Sequence, residues 1–472
     1  MFLLPIAPVV VAIATSAHAG AAAAASPNPS NAAIGNTFNT DINSYSFDDS
    51  SYNYCHPGYP SGESYSAVPN ATLEFVQLVV RHGDRTPVHL IPREDVTWNC
   101  GGVEEDIYLH GAQQPEKNTT GSFQQIIEIP KWNSRYGYSN QVWKGTCDVG
   151  ELTDRGKAQH HFLGTQLRSI YVDKLKFLPG ELSSADPVYV RTTSVWRTKN
   201  SAESLIGGLW PNRGYGPEAA IPMHTYPPNI ETMYGNTAAC PKISEIENTI
   251  SNASQLQKFL KEQGPLMSRL AGIFGVNGNR WDSSWSGYLD VLLTRQCHEK
   301  PLPCRHLPAG AKGEGAECAT AEDAAQTTRN ANYEWTFKYR DHPLSQNYTR
   351  LYIGSFIGTL KDQIQDHIGG KIGGLKFALY SAHDTTVAPL LAVLKASNRN
   401  MLWPPYASNL AFELWKKNDG GHVIRVIYNG QTLKLEPGLE WCDLESCPIE
   451  TFNKYVDDYI PHDVSAECAA SN

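Results

Sequence analysis

Leu73-Glu74-Phe75-Val76-Gln77-Leu78-Val79-Val80 runs without a break into Arg81-His82-Gly83-Asp84-Arg85-Thr86-Pro87. The first half alternates and then turns continuously apolar, the pattern of a buried strand. The second half is cationic and closes on a proline. Two more segments repeat the arrangement: Pro187–Val190 is followed by Arg191-Thr192-Thr193, and Lys376–Ala382 by His383-Asp384-Thr385-Thr386. Helical patterns lie between them. Phe162, Leu163, Leu167 and Ile170 follow Thr153, a candidate N-cap, and Ala202, Leu205, Ile206 and Leu209 follow Arg191. Strands alternating with helices predict an α/β fold, a three-layer core with a largely parallel central sheet.

In open α/β sheets, ligands bind beyond the carboxyl ends of the strands. Three such ends converging would bring Arg81, Arg85, Arg191, His82, His383 and Asp384 to one crevice. Arginine offers a planar fork of donors that matches phosphate. Three arginines would hold a dianion and stabilise charge on the oxygens of a transferring phosphoryl group. A neutral histidine can attack phosphorus directly, and a carboxylic acid opposite can protonate the leaving alkoxide. Gly83 would let the backbone pass close to a bound oxyanion. None of these roles calls for a metal or another cofactor.

Arg81-His82-Gly83-Asp84-Arg85-Thr86-Pro87 matches the RHGxRxP signature of the histidine acid phosphatases, branch 2 of the histidine phosphatase superfamily, and His383-Asp384 is similar to that family's downstream HD pair. Leu152-Thr153-Asp154-Arg155-Gly156, Val190-Arg191-Thr192-Thr193, Tyr380 to Val387, Pro405-Tyr406-Ala407-Ser408 and Cys447-Pro448 resemble the prostatic and lysosomal group within it. The resemblance runs from about 72 to 455 and is weakest across 235–345. It implies a phosphoric monoester hydrolase with His82 as nucleophile, forming a phosphohistidine. Arg81, Arg85 and Arg191 would bind phosphoryl oxygens, with a further hydrogen bond from His383, and Asp384 would be the general acid and later the base. An acidic optimum follows if Asp384 must start protonated. The implied partner is a small phosphorylated substrate, and a homodimer is allowed.

The 472 residues are 41% hydrophobic, enough for a sizeable core. With 39 Lys and Arg against 48 Asp and Glu, the net charge of −9 disfavours a nucleic-acid partner. Residues 1–19 carry an apolar run and end in Ala17-His18-Ala19, which reads as a secretory signal peptide. A membrane anchor is the alternative, disfavoured by Pro5, Pro8 and the short length, so no stable membrane insertion is expected. Residues 20–70 read as a flexible low-complexity leader, with Cys55 able to pin its distal end. The core is expected at 71–200 and 365–460, a mostly helical cap insertion at 201–364, and a tail at 461–472. The 10 cysteines lack a repeating metal-ligand spacing and read as disulfides, with zinc the alternative; Cys442 and Cys447 are near enough to staple one turn. Sequons stand at Asn70, Asn118, Asn252 and Asn347. Secretion, or residence in the secretory-pathway lumen, is the expected location.

Several residues admit a structural reading. Arg197 lies six positions after Arg191 and could share its task. Asp84 is better suited to an ion pair than to catalysis. Asp384 could also cap a helix over Thr385–Lys395, and Thr385 and Thr386 either touch the leaving group or cap that helix. His160-His161 falls in a helix, and His298 and His306 flank cysteines. Asp341-His342 reads as loop. Within the family, Thr385-Thr386 after the HD pair and a single cation, Arg93, across Val88–Glu94 lean away from a phytase. A glycan- or lipid-specific phosphatase, or a secreted signalling or binding protein with idle chemistry, are the other readings.

Overall fold

A computed structural model of the chain describes residues 52–92, 94–100, 103–109, 120–126, 143–211, 221–306 and 315–469. The expected signal peptide, the leader up to 51, Arg93 and the Asn118 sequon lie outside the described residues. The other three sequons, Asn70, Asn252 and Asn347, are exposed.

The elements that build the site are β1 (Ala71–Arg81), α1 (Asp154–Leu167), β2 (Val188–Thr192), α2 (Trp196–Leu209), β3 (Met223–Thr225), α3 (Pro241–Ser251), α4 (Ser254–Phe274), α5 (Ser286–Cys297), α6 (Ala321–Thr336), α7 (Ser345–Ile368), β4 (Phe377–Ala382), α8 (Asp384–Val393), β5 (Asn409–Lys417), β6 (His422–Tyr428) and β7 (Gln431–Thr432). They form an eight-stranded sheet in the order β7-β6-β5-β1-β4-β2-β3, with a short strand at Cys447–Pro448 also pairing with β6. β1, β4, β2 and β3 run parallel, and β5 to β7 continue the sheet antiparallel. The fold is mixed α/β with a largely parallel central sheet.

The apolar run of β1 is explained by burial on both faces, as parallel strands require. Val76, Leu78 and Val80 pack with Leu163, Leu167, Ala202 and Leu205 of α1 and α2. Phe75 and Val79 face the other way and join the apolar cluster of Ile243, Leu270, Leu292 and Phe356. The helices between β3 and β4 therefore share a core with the sheet. α7 lies directly on it: Gln77 donates to the Leu360 carbonyl at 2.9 Å, and Tyr380 to Gln363 at 2.9 Å. The cap boundary expected at 364/365 thus falls inside a helix that packs on the sheet.

Residues 52–70, read from composition as flexible leader, are packed against the body. Tyr54, Tyr65 and Val68 are buried, and Cys55 is bonded to Cys297. Tyr65 donates to the buried Glu413 at 2.9 Å, beside Arg425, which pairs with that carboxylate at 2.7 Å. The segment lacks aliphatic periodicity because its anchors are tyrosines bonded to distant partners. The remaining cysteines pair as Cys100–Cys147, Cys240–Cys468, Cys304–Cys318 and Cys442–Cys447, so among the described residues none is free for a metal. No helix among the described residues is long and apolar enough to cross a membrane.

Candidate active site

The sheet register brings the three strand ends level: Arg81 lies beside Ala382, and Ser381 beside Thr192. The chain leaves β1 clasped on both sides. Arg81 N donates to the Ser408 carbonyl and His82 N to that of Ala382, both at 2.9 Å, while Ala407 N donates to His82 O at 3.0 Å. Gly83 answers a different need from the expected close approach to an oxyanion. A Cβ there would come within 2.4 Å of the Gly156 carbonyl, and one on Gly156 within 2.2 Å of the Asp84 carbonyl. The two glycines let the start of α1 press against the turn after β1.

His82 is buried at the floor of a cleft of about 440 Å³ that Arg85, Arg197, His383 and Asp384 also line. Its Nδ1–H donates to the Gly83 carbonyl at 2.9 Å, the arrangement that leaves Nε2 with a free lone pair. Burial, followed by the charges of Arg197, Arg81 and Arg85, holds the imidazole well below its usual pKa, so it stays neutral in acid. His383 Nε2 meets Thr193 Oγ1 at 3.0 Å, and burial and Arg197 bring its pKa down to about 3.

Each signature arginine has a fixed seat. Arg81 is fully buried with its guanidinium 4.5 Å from the Tyr406 ring and 5.0 Å from that of Tyr54. It donates to the Pro404 carbonyl at 2.5 Å and to Tyr54 Oη at 3.0 Å, and it pairs with Asp384 at 2.9 Å. Arg85 pairs at 2.7 Å with Asp290 of α5. Asp290 also accepts from Val88 N at 2.8 Å, His89 N at 3.1 Å and His89 Nδ1 at 3.0 Å. Burial opposes its charge, but Arg85 and His89 hold it well below the ordinary carboxylate value.

Arg191 does not line the cleft, contrary to the expectation from the strand end. Its guanidinium pairs with the buried Glu231 at 2.5 Å, donates to Thr232 at 3.1 Å and lies 3.6 Å from the Tyr226 ring centroid. Arg197, on the first turn of α2, occupies the cleft instead. No carboxylate among the described residues pairs with it, and its Nε is buried without a partner. Burial and the neighbouring Arg85 bring its pKa down to about 10, the condition of a cation waiting for an anion.

Asp384 is the first residue of α8, and His383 rather than Asp384 is the N-cap. One carboxylate oxygen accepts from Thr385 N at 2.8 Å, the other from Trp403 Nε1 at 2.9 Å. Burial raises its pKa, but Arg81 and Arg85, with Trp403 and His383, pull it below 3.8 on balance. Thr386 is turned inward, its hydroxyl donating to the Met233 carbonyl, whereas Thr385 lines the cleft. Asp84 accepts from Thr153 Oγ1 and His298 Nε2, each at 2.6 Å, as an interior partner; His298 is thereby engaged without a metal. His160 donates to the Arg81 carbonyl at 3.0 Å, and burial holds its pKa down to about 4.

Asp290, Trp403 and Tyr54 had no place in the sequence reading. The one local signal for Asp290 is its position as a lone charge amid Tyr288, Leu289, Val291, Leu292 and Leu293. A charge within a run buried on all sides needs a partner, but nothing local identifies that partner as Arg85.

Residues 72–429 match the histidine phosphatase superfamily, branch 2. Counting factor 60 of Dictyostelium discoideum is 28% identical over 81% of this chain and 84% of its own length. Human prostatic acid phosphatase is 28% identical over 85% of this chain and 89% of its own length. Among solved structures, the phytase of Citrobacter braakii aligns with a TM-score of 0.52, at 16% identity, over 85% of this chain and 100% of its own; at that identity the likeness concerns the fold.

Proposed function

The chain belongs to the histidine phosphatase superfamily, branch 2, and from that membership we propose that it is a secreted acid phosphatase hydrolysing small phosphate monoesters through a phosphohistidine at His82. The observation that carries the reading is the state of His82: a buried, neutral imidazole tied by Nδ1 to Gly83, in the cleft that Arg85 and Arg197 also line. Arg85 and the unpaired Arg197 receive the phosphoryl oxygens, with Arg81 behind them and His383 at the side. Arg197 takes the part first expected of Arg191. His82 Nε2 attacks phosphorus as the P–O bond to the leaving group breaks, and Asp384 delivers its proton to the departing oxygen. In the second half, Asp384 accepts a proton from water as that water attacks phosphorus; the P–N bond breaks and phosphate leaves.

In the free enzyme Asp384 is ionised by Arg81 and Arg85. A bound phosphate brings negative charge against those same arginines and against the carboxylate. Asp384 then takes up a proton, which makes substrate binding itself the step that arms the acid. Residues 1–19 would direct the chain to export. The five disulfides and the three exposed sequons suit an oxidising lumen or extracellular space. The cap expected at 201–364 is narrowed to the helices from 241 to 344, because Leu205 of α2 and Leu360 of α7 pack on the sheet, and it completes the leaving-group side of the cleft.

The test is hydrolysis of phenyl phosphate from pH 3 to 8 with a chelator present, by wild type and His82→Ala. Acid-favoured turnover that disappears in the variant, with label from the phosphate trapped on the wild-type protein by alkaline quench, is expected. Turnover that survives His82→Ala would overturn the mechanism.

A further inference from the structure

The two oxygens of the Asp384 carboxylate are held unequally. Oδ2 accepts from Trp403 Nε1 at 2.9 Å and lies 2.9 Å from the Arg81 guanidinium, whereas the Thr385 N–H at 2.8 Å is the only donor to Oδ1 among the described residues. The residue after Trp403 takes the other member of the ion pair: the Pro404 carbonyl accepts from Arg81 at 2.5 Å. Trp403-Pro404 thus braces both Arg81 and Asp384. Trp403 is itself anchored at three points. Tyr52 Oη donates to its carbonyl at 2.8 Å, its own N–H donates to Asn332 Oδ1 of α6 at 2.8 Å, and its ring packs on Trp335 with centroids 4.1 Å apart. With those anchors and 8% exposure, the indole is fixed against the carboxylate.

An indole N–H and a guanidinium are donors only. Both favour negative charge on Oδ2, and neither can accept a proton from it. A carboxylate oxygen has two lone pairs, and on Oδ2 both are taken. On Oδ1 one is taken, by Thr385 N. A proton arriving at Asp384 therefore finds its seat on Oδ1, while Oδ2 stays the acceptor of both donors. Water or a hydroxyl in place of the indole would impose no such choice, since either can turn and accept.

Resting on the phosphatase reading above, we propose that Trp403 is a positioning residue for the general acid: with Arg81 it reserves Oδ2, so that Oδ1 carries the proton and hands it to the leaving oxygen. In that step the bond from His82 Nε2 to phosphorus forms and the P–O bond to the leaving group breaks. The Oδ1–H bond breaks with it, the departing oxygen and the proton form the alcohol, and the charge left on Asp384 settles on Oδ2 against its two donors. Because Trp403 is anchored to α6, the cap takes part in setting the acid as well as in shaping the cleft.

The test removes the indole N–H and keeps a ring: Trp403→Phe, and benzothienylalanine at position 403, which puts sulfur in place of N–H at the same shape and guards against a packing defect. The rate kcat is measured from pH 3 to 8 with ethyl phosphate and 4-nitrophenyl phosphate, in the wild-type and Asp384→Asn backgrounds. The basic limb of kcat reports the acid in the enzyme–substrate complex. Losing a donor that favours the charged form raises that pKa, so the limb should move to higher pH by about one unit. Arg81, Arg85, Arg197 and His383 also face Asp384 and are the same in every variant. On the acid plateau, ethyl phosphate turnover should fall about 10-fold and 4-nitrophenyl phosphate turnover far less. In the Asp384→Asn background neither substitution should lower kcat further. A limb that stays in place in the benzothienylalanine variant, or an equal loss in the Asp384→Asn background, overturns the proposal. Should phenyl phosphate hydrolysis survive His82→Ala, the underlying phosphatase mechanism falls instead.

Discussion

Removing Arg197 should disable the enzyme, and removing Arg191 should only weaken the fold. Arg197 is the cleft cation that no carboxylate among the described residues claims, so its whole charge is available to the phosphoryl oxygens. Deleting one preorganised donor of this kind typically costs about 100- to 1000-fold in kcat, roughly 3–4 kcal/mol of transition-state stabilisation. Arg197→Ala should fall in that range. A second effect has a definite sign. After burial, Arg197 is the largest influence lowering the pKa of His82 and of His383. Without it the His82 pKa rises, a larger fraction is protonated in acid, and the acid limb of kcat/KM moves to higher pH. Arg191 has the opposite character. Its guanidinium is tied to Glu231 at 2.5 Å, and both groups are buried. Breaking that pair singly would strand a charge at about 3–5 kcal/mol. The variant to make is therefore Arg191→Met with Glu231→Gln, which neutralises both partners and leaves the Gln oxygen to accept from Thr232 N and Met233 N, as Glu231 does at 2.8 Å each. The assay is kcat/KM for phenyl phosphate across pH 3–8, with thermal melting of the same samples. Loss of more than 100-fold in the folded Arg191 double variant, with Arg197→Ala within 10-fold of wild type, would refute the assignment.

Asp290→Ala should cost about 3–5 kcal/mol in denaturant unfolding, because it strands the buried Arg85 and two backbone N–H groups. The folded-state pKa of Asp290 lies below the unfolded value of 3.8, so its stabilisation is complete above that pH and is lost as pH falls through the folded value. The Asp290→Asn variant should therefore lose less stability than wild type on going from pH 4 to pH 2. Replacing Cys55 and Cys297 by Ser should destabilise by roughly 2–5 kcal/mol and lower kcat, since it frees the segment whose Tyr54 holds Arg81 at 3.0 Å; full activity at a reduced Tm would separate Tyr54 from the site. Asp384→Asn should lower turnover of an alkyl phosphate by about 100-fold or more and that of an ester with an acidic phenol far less. Equal losses for both leaving groups would remove Asp384 from proton transfer.

The strand-to-charge transitions at Val80–Arg81 and Ala382–His383 were legible because each is a local pattern: an apolar run long enough to be buried, then polar residues where the core stops. The α/β class and the clustering of His82, Arg85, His383 and Asp384 follow from such runs and from the rule that parallel strands end on one side. Tertiary structure alone decided which of the two arginines, Arg191 at the end of β2 or Arg197 at the start of α2, faces the cleft. Arg191 and Arg197 are equally cationic on paper. The difference is made by Glu231, 40 residues away in the chain from Arg191, which neutralises that arginine in the interior and leaves Arg197 unpaired. Asp290 meets Arg85 across 205 residues, and Tyr65 meets Glu413 across 348. Pairings of this kind carry no periodicity, because charge neutralisation in a low-dielectric interior depends on distance in space, and only the folded chain sets that distance.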